Sequence, residues 1–73
     1  MTFSEHLLQL RKEHNLEQMD LVRALHTSLR TYQRYEHGER EPQLSMLIAI
    51  ADFYGITLDD LVCRNVPKKA QKI

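Results

Sequence analysis

Apolar residues recur along this chain at intervals of three and four, and no stretch alternates apolar with polar residues as a half-buried strand would. Phe3, Leu7, Leu10 and Arg11 stand at i, i+4, i+7 and i+8, which predicts a helix over 3–14. Thr2 followed three residues later by Glu5 is a capping box for its start, and Asn15, tolerant of the left-handed conformation, is its stop. Leu16, Leu21 and Leu25 mark a second, shorter helix over 17–25. Ser28 is an N-cap for a third over 28–37, with Tyr32 and Tyr35 on its inward face and Gly38 at its end. Glu39 to Pro42 is a loop, since Pro42 disfavours a helical residue before it. Leu44, Leu47, Ile48, Ala51 and Tyr54 follow the helical period, so 43–54 is a fourth helix closed by Gly55. Thr57-Leu-Asp-Asp60 reads as a second capping box opening a fifth helix over 57–63. The pattern is all-α, with Leu7, Leu10, Leu21, Leu25, Tyr32, Tyr35, Leu47, Ile50, Ala51 and Leu61 expected in the core.

The last ten residues break the pattern. Residues 64–73 have no period, contain Pro67, and carry Arg64, Lys68, Lys69 and Lys72 with no acid. They read as a basic, mobile tail on a helical domain of residues 1–63. With 73 residues in all there is material for one core and no second. The formal net charge is zero, but it divides into −4 over residues 1–63 and +4 over 64–73. An acidic body is not the usual footprint of a nonspecific nucleic-acid binder. Cys63 is the single cysteine, so the fold does not depend on an internal disulfide. No run approaches a membrane helix and the start lacks the basic and apolar regions of a secretory signal, so the cytoplasm is the expected compartment and no membrane is expected as a partner.

Two short helices joined by a tight turn, at 18–25 and 28–37, carry the first functional suggestion. Such a pair can seat its second helix in the major groove of DNA. The outward positions of the third helix are Leu29, Arg30, Gln33, Arg34 and His37. Arginine pairs with guanine, glutamine with adenine, and leucine can touch a thymine methyl. The spacing alone supports equally a solvated helix face that happens to carry two arginines.

From Phe3 to Val62 the ordered set of motifs resembles the Cro/lambda-repressor (XRE-like) helix-turn-helix family, of the phage and mobile-element regulator type. The resembling stretches are Leu10-Arg11-Lys12, Leu16-Glu-Gln18, Ser28 to Gly38, Glu36-His-Gly38 with Pro42 four residues on, and Gly55-Ile-Thr57-Leu-Asp-Asp-Leu61. The resemblance implies a five-helix lambda-repressor-like domain with the helix-turn-helix at helices two and three. It implies that Gln18 touches phosphate, that Leu29, Arg30 and Arg34 face bases, and that Ser28, Arg40 and Gln43 contact phosphate. It pairs Arg11 with Glu36 in a partly buried salt bridge between helices one and three. It further implies a repressor-like regulator that binds double-stranded DNA as a homodimer, with helix five and the tail as the contact between subunits.

Four positions depart from the family pattern. Val22 stands where the family places a small residue, His26 where it places Gly, Thr27 where it places an apolar residue, and Glu17 where it places Ser or Asn. His26 would pay strain that Gly would not. These departures, the acidic body and the apolar Leu29 at a base-reading site keep a second reading open. In it the domain binds a protein, as an antirepressor or modulator of a phage repressor or other regulator, or as an antitoxin. Enzymatic chemistry is not expected: there is no Gly-rich phosphate loop and no nucleophile–base pair, and Asp59-Asp60 is explained by capping and the helix dipole. The histidines at 6, 14, 26 and 37 lack metal-ligand spacing and read as surface residues, so neither metal nor cofactor is expected.

Overall fold

A computed structural model describes residues 1–63; the basic tail expected over 64–73 lies outside the described residues. Five helices follow one another: α1 (Phe3–Glu13), α2 (Gln18–Leu25), α3 (Leu29–His37), α4 (Leu44–Tyr54) and α5 (Leu58–Leu61). There is no strand among the described residues. The sequence bounds hold to within two residues at each end, and the differences fall on cap residues. Thr57 is the N-cap of α5 and Val62 its C-cap, which leaves a single turn between them.

Local chemistry accounts for the starts and stops. At α1 the capping box closes in both directions. The Glu5 N–H donates to Thr2 Oγ1 at 3.2 Å and the Thr2 N–H donates to Glu5 Oε1 at 2.8 Å. At α5 only the forward half forms, from the Asp60 N–H to Thr57 Oγ1 at 3.1 Å. Left-handed residues end the chain's helices: Asn15 (φ 55°), His26 (φ 54°), Gly38 (φ 74°), Gly55 (φ 68°) and Cys63 (φ 60°). Beyond Gly38, the Glu39 N–H reaches back to the Arg34 carbonyl at 2.9 Å, which satisfies a carbonyl that the helix itself leaves open.

α3 packs on α1 and α2, α4 packs on α2 and α5, and α5 closes against α1. Leu7, Leu21, Tyr32, Ile50 and Leu61 are fully buried where these helices meet. Val22 joins the core with Leu10, Leu25, Tyr35 and Ala51, so the larger side chain at the departing position is absorbed by packing. His6 ties the two ends of the domain, its Nδ1 lying 3.1 Å from the Leu61 carbonyl oxygen. Since a carbonyl can only accept, the His6 proton sits on Nδ1 in this contact. The surface role expected for His6 is thus replaced by a structural one.

α4 corrects two expectations. Leu47 is only half-buried, because it stands at the margin of the core beside Phe3, Pro42 and Val62. Leu44 and Ile48, members of the periodic set, are 65% and 43% exposed. The helix is apolar nearly all round, with Ser45 and Asp52 its polar residues. Its periodicity therefore could not say which face turns inward.

Candidate nucleic-acid interface

The turn between α2 and α3 is built on His26. Its left-handed backbone lets the Thr27 N–H donate to the Val22 carbonyl at 3.2 Å, closing α2 before the chain reverses. Ser28 then caps α3. Its Oγ accepts from the Thr31 N–H at 3.1 Å and lies 2.9 Å from Thr31 Oγ1. At the start of α2, the Glu17 N–H donates to Asp20 Oδ2 at 2.8 Å, the return half of a capping box.

These caps aim α3 so that Arg30, Arg34 and His37 are exposed and Leu29 is 39% exposed, on the face opposite Tyr32 and Tyr35. Neither Arg30 nor Arg34 makes a side-chain hydrogen bond to the rest of the described chain. Arg40 is exposed in the loop that follows, beside Gly38 and Glu41. Gln43 is the N-cap of α4 with no side-chain cap bond, which leaves its amide and the helix terminus open to solvent. Leu29 and Met19, 38% exposed, share a shallow hollow with Gln18, Glu17 and Arg11.

Behind this surface lies a buried carboxylate. Arg11 Nε donates to Glu36 Oε2 at 2.7 Å and Arg11 Nη2 to Oε1 at 3.3 Å, a two-pronged bridge in which Glu36's side chain is 3% exposed. Arg11 Nη1 donates to the Leu16 carbonyl at 2.9 Å, which pins the α1–α2 turn to the same guanidinium. The Tyr32 hydroxyl donates to Glu36 Oε2, and Gln18 Nε2 donates to Glu36 Oε1 at 3.0 Å. Gln33 Nε2 then donates to Gln18 Oε1 at 3.1 Å, so the network runs from the core to the outer face of α3. Burial works against the Glu36 charge, but the bonds from Arg11, Tyr32 and Gln18 together outweigh it and hold its pKa below the ordinary value. Arg11's bond to Glu36 raises its own pKa, against the smaller opposing effect of burial. Burial, then the bond to Glu36, pushes the Tyr32 phenol well up. Tyr54 packs against the His14 ring at 5.0 Å, and its buried hydroxyl has no hydrogen-bond partner within the described residues. Burial and the Glu36 charge push it up to about 12.

The Arg11–Glu36 bridge is where the sequence reading placed it. The outward exposure of Leu29, Arg30, Arg34 and His37 also agrees. Gln18 and Gln33 are half-buried and bonded to each other, a link that sequence reasoning missed. The Tyr32–Glu36 bond was missed as well, though the two stand at i and i+4 on the buried side of α3. Nothing in the spacing of Gln18 and Gln33 pointed to their contact across two helices.

Residues 7–61 match the family profile described as Helix-turn-helix. Over 62 residues the chain is 36% identical to the HTH-type transcriptional activator BcrR of Enterococcus faecalis, a match that covers 85% of this chain and 30% of that protein. Over 73 residues it is 33% identical to the cryptic phage CTXphi transcriptional repressor RstR of Vibrio cholerae serotype O1, covering 100% of this chain and 65% of that protein. A crystal structure of a transcriptional regulator from Listeria innocua superposes with a TM-score of 0.85 at 32% identity, over 90% of this chain and 62% of that one. The chain therefore spans between 30% and 65% of the length of these relatives.

Proposed function

This chain belongs to the helix-turn-helix family, and from that premise we propose that it is a sequence-specific DNA-binding transcriptional regulator of the repressor type. One observation carries the reading: α3 presents Leu29, Arg30, Arg34 and His37 outward while its inner face is fastened to α1 and α2 through Glu36. A helix held this rigidly can enter a major groove without reordering. Arg30 and Arg34 each present a planar guanidinium to guanine, and Leu29 presents an apolar surface to a thymine methyl. Arg40, Gln43 and the α4 N-terminus supply phosphate contacts that set the register, with Ser28 and Gln18 at the other end of α3.

The regulator acts as a homodimer, with one α3 in each of two successive major grooves of an inverted repeat, about 34 Å apart. Leu44 and Ile48, one turn apart on α4 and both exposed, give an apolar strip that supports association between subunits. Footprinting of DNA flanking the gene tests the reading. Protection over an inverted repeat is expected. Arg30→Ala and Arg34→Ala should each lose roughly 1–3 kcal/mol of discrimination at one base pair, and Arg40→Ala should weaken all sequences alike. Protection should also weaken steeply as salt rises, because each phosphate contact releases condensed counterions.

The hollow formed by Met19 and Leu29 favours a second reading, in which the same face docks on a protein such as another regulator. There Leu29→Ala would weaken the complex more than either arginine change, because a buried apolar anchor dominates protein interfaces. A stoichiometric complex with a neighbouring regulator and no footprint at low salt would select this reading.

A further inference from the structure

Among the large apolar residues that stay exposed in the described chain, two come from the helix-turn-helix itself: Met19, second in α2, and Leu29, first in α3. They share one hollow, whose lining is completed by Arg11, Glu17 and Gln18. Neither belongs to the core or to the apolar residues packed against it, so packing within the domain does not account for them. Arg11 and Gln18 direct hydrogen bonds inward to Glu36, while the apolar pair stays open to solvent.

The major groove offers such a pair one kind of apolar partner. Base edges there carry hydrogen-bond donors and acceptors, and the exception is the methyl group on C5 of thymine. 5-Methylcytosine carries the same methyl on the same ring carbon and differs from thymine at C4, where an amino group replaces the oxygen. A notch walled by side chains from two helices responds to the methyl rather than to the group at C4. We infer that Met19 is a specificity-determining residue that closes with Leu29 around a pyrimidine 5-methyl group, so that binding responds to methylation of cytosine at the position the pair reads. The inference rests on the DNA-binding reading above, and adds to Leu29's contact a second wall and a modified base.

The test begins with sequences that the full chain enriches from a randomised double-stranded DNA library at low salt. Thymines in the enriched site are exchanged one at a time for deoxyuridine, which lacks only the methyl group. At one position of the site read by each α3 this should weaken binding roughly fourfold, the effect of burying one methyl group. Deoxycytidine placed at the same position should bind roughly fourfold more tightly when it carries the 5-methyl group. Met19→Ala and Leu29→Ala should each bring both ratios to within roughly twofold of unity and leave the preferences read by Arg30 and Arg34 unchanged. Both substitutions fall on exposed side chains outside the core, so far-ultraviolet circular dichroism should match that of the unsubstituted protein. A methyl ratio near one at every pyrimidine, or a methyl effect that Met19→Ala leaves intact, would overturn the inference and leave DNA binding in place. No enriched sequence at all, the outcome expected of a protein-docking face, would overturn the DNA-binding reading and this inference with it.

Discussion

Tyr32 and Glu36 meet one helical turn apart on α3, the phenol donating to the carboxylate at 2.5 Å with both residues buried. The charge that fastens α3 to α1 is thus held from its own helix as well as from Arg11. Tyr32→Phe preserves the ring's packing and removes only this bond. It should destabilise the domain by about 1.5–3 kcal/mol, the range for a hydrogen bond to a charged group. Urea denaturation should show a lower midpoint with an unchanged slope.

Removing one side of the Arg11–Glu36 bridge should cost more. With the two side chains 14% and 3% exposed, Arg11→Met leaves a buried carboxylate without its counter-charge and should cost about 3–5 kcal/mol. Adding Glu36→Leu removes the stranded charge, so the double variant should be less destabilised than the sum of the single ones. Strictly additive losses in a double-mutant cycle would show that the two groups are not coupled.

Stability should fall in acid through the same carboxylate. Glu36's folded-state pKa lies below its ordinary 4.5, because its donors outweigh burial. A depressed carboxylate contributes stability that is complete above the unfolded-state value and is lost as pH falls through the folded one. Denaturation midpoints should therefore hold near neutrality and drop below about pH 4.5, with a shallower drop in Glu36→Gln. At the alkaline end the phenols of Tyr32 and Tyr54 are both raised from 10.0, and a raised phenol contributes stability that is complete below that value. The midpoint should fall again as pH climbs past 10, as the unfolded chain ionises first.

His26 offers a gain in stability. A left-handed non-glycine residue costs about 1–2 kcal/mol. Glycine returns about 0.5–1 kcal/mol of that through the greater freedom of the unfolded chain. His26→Gly should therefore stabilise the domain by up to about 1 kcal/mol, read as a higher thermal midpoint. A fall would mean that the imidazole makes contacts that compensate its backbone strain.

The fold was legible wherever one residue type has one physical use. Thr2 with Glu5, Asn15, Ser28, Gly38 and Gly55 each mark a helix end, because few residues can satisfy an open terminus or adopt a positive φ. The inward faces of α1, α2 and α3 were legible because polar residues fill most of the rest of each turn. α4 was legible as a helix and not as a face, since Leu44, Ile48 and Phe53 are as apolar as the residues it buries. On the candidate site, helical spacing turned the arginines of α3 outward, and the family resemblance paired Arg11 with Glu36. The Gln18–Gln33 bond could not, because it depends on how α2 and α3 cross, and no periodicity within either helix encodes a crossing.

That bond divides the outer face of α3 into two kinds of position. Arg30 and Arg34 share no hydrogen bond with the rest of the described chain, so either can be exchanged without disturbing the core. Gln33 is tied through Gln18 to a charge on which the stability of the whole domain rests. A domain of this kind can drift readily toward new binding preferences at 30 and 34, one substitution at a time. A change at 33 or 18 that removes an amide leaves the other without its hydrogen-bond partner, so these two positions should evolve, and be redesigned, as a pair.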